Sequence, residues 1–359
     1  MNIYSVIFAG GAGTRLWPIS RKNSPKQLHH FLDEETMLQK TFNRQSQILG
    51  KDNVFISTTA NLAPEVETQN LVSKDHVFVE PMKKDTGPAI GFAALKIQNL
   101  DPEAIIAITW SDHYIGNFEN YKKLFETAKE VISKDPLAIF MAGVLPKYPE
   151  TGYGYIEMGE ETKLDIKNLY KVASFKEKPN LETAKEYLKA GKFLWNPAMF
   201  FVKVSRLLSL YEELAPKHFE ELIKIKNSLG TSDEGATISQ SFEKMEKISV
   251  DYLIIEKASH KFVTPVDLDW ADIGHWKSIF DVMKKENTHA IAGAKYVHLD
   301  SYNNLIFSTT KQLISTVGVS NTLVIVDNDA ILICRDDHAQ SVKELVSTLE
   351  NDPNTAHLT

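Results

Sequence analysis

Cysteine is almost absent from this chain: Cys334 is the single one among 359 residues. No intrachain disulfide can form, and a reducing compartment is expected. Cys334 lies in the apolar run Ala330 to Cys334 and reads as a buried core thiol. Long apolar runs are missing as well, since none approaches the ~20 residues a membrane helix needs. The opening MNIYSVIFAGG has neither the basic flank nor the cleavage site of a signal peptide. A cytoplasmic location without a membrane partner is therefore expected. Positive charge is in deficit, with 40 Lys and Arg against 47 Asp and Glu and a net charge of −7. That balance argues against a general nucleic-acid binder, while an anionic small ligand needs only local positive charge. Low-complexity segments and nameable internal repeats are absent too.

What is present is an alternation of strands and helices. Short apolar, β-branched runs recur at Tyr4–Ala9, Val54–Thr58, His76–Val79, Ile105–Thr109 and Leu137–Val144. Segments with helical spacing lie between them; in Glu119–Ile132, Leu124, Ala128, Val131 and Ile132 share one face. This predicts βαβ units and a mostly parallel sheet covered on both faces, a doubly wound α/β fold. Further on, Thr151–Met158 and Tyr170–Lys176 read as strands, and Leu207–Lys226 and Ile238–Lys257 as helices, the first broken at Pro216. From Lys295 the pattern changes to five short β runs, Lys295–Leu299, Asn304–Ser308, Leu313–Thr316, Thr322–Val326 and Ala330–Cys334. A final helix, Ala339–Leu349, presents Val342, Leu345, Val346 and Leu349 on one side. A boundary near Asn287 is expected, dividing residues 1–287 from a small β unit at 288–359.

The stretch FAGGAGTRLWPISRKNSPKQ, Phe8 to Gln27, follows the first strand run. Glycine-rich turns in that place hold phosphates. A P-loop needs Lys-Ser or Lys-Thr directly after its last glycine, whereas Gly13 is followed by Thr14 and Arg15. A dinucleotide fingerprint fits no better: counted from Gly11, Leu16 takes the third glycine position, and counted from Gly10, Ala12 takes the second. The remaining option is a loop whose N–H groups wrap a nucleoside triphosphate. Arg15 would grip the β and γ phosphates as a bidentate donor, and Lys26, after Pro25, would return a second positive charge. Several cations are needed, because two like unit charges ~4 Å apart repel by about 4 kcal/mol at an effective dielectric of 20. For GGxG alone, a turn serving only backbone geometry, with Arg15, Arg21 and Lys26 solvated, competes with this reading.

Two acidic positions add to the pattern. WSDHYI puts Asp112 at the C-terminal end of a strand run, the edge where open α/β sheets bind ligands. A carboxylate there suits Mg²⁺; capping a following helix is the alternative. LDWADIGHW puts Asp272 ahead of the Ile273-Gly274 turn, with Asp267 and Asp269 nearby to structure it.

GGAGTRLWPISRKNSPKQ resembles the signature of the sugar-1-phosphate nucleotidyltransferase family, and its Leu-Trp-Pro…Ser-Arg…Pro-Lys-Gln form is similar to the family's GDP-mannose-forming branch. The resemblance runs along nearly all of the chain. It implies a Rossmann-like mixed sheet (the nucleotide-diphospho-sugar transferase fold), a small C-terminal β-helix-like domain and a homodimer. The implied reaction transfers GMP from GTP to mannose 1-phosphate, giving GDP-mannose and pyrophosphate with Mg²⁺ as cofactor. Arg15, Lys26, Asp112, Lys178 and Asp272 would carry catalysis, with Asp112 and Asp272 on the metal. Ala9, Gly10, Gly11, Gly13 and Thr14 would wrap the nucleotide with Arg15, Lys26 and Asp112.

The same resemblance supplies the remaining expectations. In FKEKP, Lys178 would bind the sugar's phosphate and Glu177 its hydroxyls; in TGYGYIE, Gly154 would let the sugar approach and Glu157 would be a further ligand. In WNPAMFF, Asn196 would meet mannose hydroxyls, while Pro197 and Ala198 replace the family's usual Ser-Gly. EPMKKDTGPAI is similar to a purine-recognition loop that commonly reads Arg-Asn-Thr-Ala-Pro, so Asp85, Thr86, Gly87 and Pro88 are expected at the nucleotide. There Asp85, as a buried carboxylate, is compatible with accepting guanine N1–H and N2–H, with the loop's backbone groups as the alternative reader. ISVDYLIIEKA matches another family helix, with Asp251 and Lys257 on a solvated face by default and at the site otherwise. Competing functions are transfer to another hexose or heptose 1-phosphate, or a non-catalytic nucleotide-sugar-sensing subunit. Longer family members append an isomerase domain, for which a chain ending at Thr359 leaves no room, so no isomerase activity is expected.

Overall fold

A computed structural model gives the architecture and describes residues 1–11, 13–22, 24–284 and 288–359. The chain divides into two compact units. The first gathers Met1–Gly10, Phe42–Trp110 and Ile115–Trp270; the second gathers Gly11–Thr41, Ser111–Tyr114 and Ala271–Thr359. Asn287, where a boundary is expected from the sequence, lies outside the described residues.

In chain order, strands β1 (Ile3–Phe8), β2 (Val54–Thr59), β3 (Val77–Glu80) and β4 (Ile105–Trp110) come first, then β5 (His113–Ile115) and β6 (Ile139–Gly143). β7 (Gly154–Glu161), β8 (Tyr170–Lys176), β9 (Phe193–Asn196), β10 (Phe200–Lys203), β11 (Lys261–Pro265) and the short β12 (Trp270–Asp272) follow. The first unit is built on a ten-stranded sheet ordered β3-β2-β1-β4-β10-β6-β11-β8-β7-β9. Strand–helix alternation makes β3, β2, β1 and β4 parallel, with Ser5 opposite Val54 and Ile3 opposite Ile105. A second parallel pair joins β6 to β11. β10 inserts antiparallel between β4 and β6, and β8, β7 and β9 continue antiparallel, so the sheet is mixed.

Both faces of the central strands are covered. On one face the helices Thr86–Leu100 and Val204–Leu214 pack over Val6, Ile106 and Ile108; on the other, Phe118–Lys134 lays Leu124, Ala128, Val131 and Ile132 over Ile105 and Ala107. The helix break at Pro216 is present: one helix ends at Leu214 and the next runs Pro216–Ser228. The expected helix Ile238–Lys257 is two pieces, a helix Glu234–Lys244 and a π-type turn Asp251–Ile255. Long-range bonds pull the intervening residues out of helix: Ile248 N–H donates to the Lys84 carbonyl at 3.3 Å, and Gly87 N–H donates to the Ile248 carbonyl at 2.9 Å.

The second unit holds β13 (Ala290–Ala292), β14 (Lys295–Leu299), β15 (Leu305–Ser308), β16 (Leu313–Val317), β17 (Thr322–Val326) and β18 (Ile331–Arg335). Successive strands alternate between two small sheets. β13, β15 and β17 pair in parallel, β14 pairs in parallel with β16, and β18 turns back antiparallel to β17. This is a short β-helix-like coil, with Ile306, Val324 and Val326 packed against Tyr296 and Ile314. The opposite row, Leu305, Phe307, Leu323 and Ile325, joins Phe31, Trp276 and Phe280 in a second core. Two expectations change here. Cys334 is half-buried, because β18 is an edge strand with Ile331 and Ile333 exposed on its other face. The last helix is Val342–Glu350, preceded by a 3₁₀ turn from Asp336 to Ser341, and Leu345 is exposed.

Candidate active site

In the second unit the glycine turn is shaped around one lysine. Gly13 has φ +66°, and a Cβ there would meet Lys26 Cβ and Cγ at 2.8 Å and Ser20 Oγ at 2.6 Å. Only glycine tolerates both the left-handed backbone and that approach. The turn thus packs on the Lys26 stem, leaving the side chain 7% exposed as a residue. Lys26 Nζ lies 2.6 Å from Asp112 Oδ2 and 3.9 Å from Asp272 Oδ1, and it donates to the Ile273 carbonyl at 3.0 Å. Burial opposes the ammonium charge, yet Asp112 and Asp272 hold its pKa above the ordinary lysine value. Burial likewise opposes the Asp112 carboxylate, and the positive charges of Lys26 and His113 pull its pKa below the usual range. Asp112 and Asp272 are held together through backbone as well, because Ile273 N–H donates to the Asp112 carbonyl at 3.1 Å.

Asp112, His113 and Asp272 each offer a ligand atom within 4.8 Å of the others. Two carboxylates at that separation fit a hard divalent cation that completes its shell elsewhere; His113 is a member the sequence reading missed. Arg15 sits in a 3₁₀ turn, Thr14–Leu16, and its charge acts on both Lys26 and His275. His275, also missed, caps the helix Trp276–Met283 by accepting from Ser278 N–H at Nδ1, 3.2 Å. Burial first, then Arg15, pushes its pKa down to about 4, so the ring stays neutral beside the cations. The rest of the loop motif is structural. Leu16 and Trp17 are buried, Trp276 Nε1 donates to the Trp17 carbonyl at 2.8 Å, and Arg21 pairs with Asp327 and Asp329.

In the first unit, the parallel strands end together. Ala9 is buried there, its N–H donating to the Ser57 carbonyl at 2.8 Å, and Gly10 follows it with ordinary clearance to Thr59. Glu80 closes β3 at the same edge, 6% exposed, accepting from Ser57 Oγ at 3.0 Å. Burial pushes its pKa up to about 7. The sequence carried no mark of this, since a polar residue at a strand end is ordinarily solvated. Asp85, expected as a buried carboxylate, is exposed: it adopts φ +68° and caps the helix Thr86–Leu100 by accepting from Thr86 N–H at 2.8 Å. Thr86 Oγ1 accepts from Val250 N–H at 2.8 Å, and Gly87 and Pro88 are buried in the helix's first turn. A Cβ on Gly87 would meet the Ile248 carbonyl at 2.6 Å.

A separate cluster in this unit gathers Gly154, Glu177, Lys178, Asn196 and Asp251. Gly154 of β7 stands opposite Asn196 of β9, and a Cβ on it would meet Glu177 Oε2 at 2.5 Å. Lys178 pairs with Glu177; burial lowers its pKa, but Glu177 and the more distant Asp251 leave it raised. Asn196 Nδ2 donates to Asp251 Oδ1 at 3.4 Å, and Asn196 Oδ1 accepts from Ala198 N–H at 2.9 Å. Ala198 holds φ +52° where the related loops usually have glycine. Asp251 is half-buried and turned toward Asn196, while Lys257 is exposed. Glu157 is not brought in. It follows Tyr155 on the other face of β7, accepts from Ser174 Oγ at 2.7 Å and pairs with Lys192 at 2.5 Å.

Comparison with known proteins gives the family. The nucleotidyl transferase family profile matches residues 4–289, and that of the MannoseP isomerase/GMP-like beta-helix domain matches 294–349. The mannose-1-phosphate guanylyltransferase of Salmonella muenchen is 31% identical over 361 residues, covering 99% of this chain and 75% of that protein. The alginate biosynthesis protein AlgA of Pseudomonas aeruginosa is 33% identical, covering 96% of this chain and 72% of its own length. A crystal structure of mannose-1-phosphate geranyltransferase from Thermus thermophilus has a TM-score of 0.87 at 26% identity, covering 98% of this chain and all of that one. No helix among the described residues is long and apolar enough to cross a membrane.

Proposed function

The chain belongs to the nucleotidyl transferase family, and from that premise we propose that it transfers GMP from GTP to mannose 1-phosphate, forming GDP-mannose and pyrophosphate. One observation carries the reading: a buried lysine held by the glycine turn between two carboxylates, Asp112 and Asp272. A reaction that joins a phosphate monoester to a triphosphate needs fixed positive charge at the leaving group and acid groups for a divalent ion. This constellation provides both.

A phosphate oxygen of mannose 1-phosphate attacks the α-phosphorus of GTP in line. The bond from that phosphorus to the oxygen bridging the β-phosphate breaks, and pyrophosphate carries the electron pair away. No protein nucleophile is needed, because the attacking oxygen is already anionic. Positioning and charge neutralisation supply the catalysis. Arg15 and Lys26 stabilise the departing pyrophosphate, with Gly11, Gly13 and Thr14 offering backbone N–H groups. Lys178 holds the attacking phosphate, and Glu177 and Asn196 take sugar hydroxyls. Glu80 is the buried acceptor for guanine N1–H and N2–H, a role better suited to it than to the exposed Asp85. Asp112 and Asp272 would hold Mg²⁺, which when bound neutralises phosphate charge and polarises the phosphoryl oxygens. The reading includes a homodimer in the cytoplasm.

Pyrophosphate release with GTP and mannose 1-phosphate tests it. Wild-type protein should turn over, while Asp112→Asn and Lys178→Ala should lose at least about a hundredfold in kcat/KM and remain folded at the assay temperature. Near-wild-type activity in both variants would contradict the assignment.

A further inference from the structure

Asp251 has no part in the reaction as described, yet its placement is costly. Its carboxylate is half-buried, and loss of solvent first, then the neighbouring Glu177, pushes its pKa up to about 7; Lys178 and Asn196 pull the other way. Two carboxylates withdrawn from water beside one another destabilise a protein unless something compensates. The residue also has no slack with which to escape. Before it, Val250 N–H is bonded to Thr86 Oγ1 at 2.8 Å and Ile248 is pinned by Lys84 and Gly87. After it, Leu253, Ile254 and Ile255 are buried in the apolar core. Asp251 itself opens the single π-type turn among the described residues, its carbonyl accepting from Glu256 N–H at 2.8 Å. Such turns recur at functional sites, where they aim one side chain.

The chemistry of the neighbours narrows what this carboxylate can meet. It is not part of a metal site, since the group of acidic and His residues able to hold a cation among the described residues is Asp112, His113 and Asp272. An anion would be repelled by Asp251 and Glu177 together. Hydroxyl donors remain, and they relieve the paired carboxylates by hydrogen bonding to both. Asn196 supports the same conclusion: its Oδ1 is committed to Ala198 N–H and one Nδ2 hydrogen to Asp251, so the amide is fixed at both ends with its second Nδ2 hydrogen left for a ligand. The cluster therefore has a cationic end at Lys178 and a hydroxyl-accepting end at Asp251.

We infer that Asp251 determines acceptor specificity: with Glu177 it accepts hydrogen bonds from ring hydroxyls of the hexose 1-phosphate, and it orients Asn196 toward the same ring. This rests on the reading above that the acceptor is a hexose 1-phosphate. A site built to bond a hydroxyl penalises the analogue that lacks it, because a partly desolvated acceptor is left unpaired.

The test compares kcat/KM for mannose 1-phosphate with that for its 2-, 3-, 4- and 6-deoxy analogues at saturating GTP. Wild-type protein should disfavour at least one analogue by about tenfold or more. Asp251→Ala should reduce that same ratio below about threefold and raise the acceptor KM about tenfold, with the GTP KM changed less than about twofold. Asp251→Asn, which keeps shape and burial, should lose the ratio in the same direction with little change in melting temperature, and it decides the matter if the alanine variant unfolds. An unchanged ratio in the folded variants, or a GTP KM that rises as much as the acceptor KM, overturns the proposal. If the wild type instead prefers another hexose 1-phosphate, the substrate reading fails by itself, and Asp251 is judged on the deoxy series of that sugar.

Discussion

Lys26→Met removes the ammonium while keeping most of the stem that Gly13 packs against. With Asp112 at 2.6 Å and Asp272 at 3.9 Å, the gross attractions at an effective dielectric of 20 are about 6 and about 4 kcal/mol. Desolvation of the buried ammonium cancels much of this. Breaking a buried pair from one side costs roughly 3 to 5 kcal/mol, and water reaches the carboxylates that remain, with side chains 24% and 36% exposed. A net loss of about 2 kcal/mol is therefore expected, or roughly 3 °C in melting temperature for a chain of this size. The pH dependence has a defined sign. Asp112 has a lowered pKa in the folded state, so its contribution is present above the usual value of 3.8 and disappears as pH falls through the lowered one. Lys26 has a raised pKa, so its contribution is present below 10.5 and disappears as pH rises through the raised one. Differential scanning fluorimetry across pH should show a gap between wild type and variant that is flat near neutrality and closes in acid. Mg²⁺ should stabilise the variant more than the wild type, because its two carboxylates face each other without a counter-charge. Equal melting temperatures at pH 7, or a gap that persists in strong acid, would refute this electrostatic description of the site.

Gly13→Ala forces a left-handed alanine and drives a methyl group into the Lys26 stem. We expect a stability loss of about 2 kcal/mol and at least tenfold lower kcat/KM from the displaced ammonium; a variant with wild-type kinetics would show that the turn does not position Lys26. Glu80→Gln tests the base reader and carries its own pH signature. Folded Glu80 keeps its proton from its usual 4.5 up to about 7, so the wild type loses stability as pH rises across that interval and the glutamine variant should gain on it. The preference for GTP over ATP should fall with the substitution, and an undiminished preference would move base recognition elsewhere.

The parts of the molecule readable from sequence were those set by short-range spacing. Alternating apolar runs and helical faces gave β1 to β4 and the helix over Leu124 to Ile132 to within two residues. Gly13 and Lys26 stood out because their neighbours excluded the common phosphate loops, and Asp112 because it ends a buried strand run. What stayed hidden depended on distant partners. The run Ile238–Lys257 has helical spacing throughout, and only the bonds from Lys84, Thr86 and Gly87 interrupt it and turn Asp251 inward. Glu80 reads as an ordinary polar strand end until Ser57 on the neighbouring strand encloses it. His275 carried no signal in the sequence, and its neutrality comes from burial beside Arg15. Cys334 misled in the opposite direction, because an apolar run does not reveal that its strand is an edge.

One competition experiment bears most directly on the assignment. The protein is incubated with equimolar GTP, ATP, UTP and dTTP and an equimolar mixture of mannose, glucose, galactose and N-acetylglucosamine 1-phosphates, with Mg²⁺ present. Products are resolved by anion-exchange chromatography and mass spectrometry. GDP-mannose should dominate, formed in step with pyrophosphate. A different nucleotide sugar as the main product, or pyrophosphate release without any nucleotide sugar, would contradict guanylyl transfer to mannose 1-phosphate.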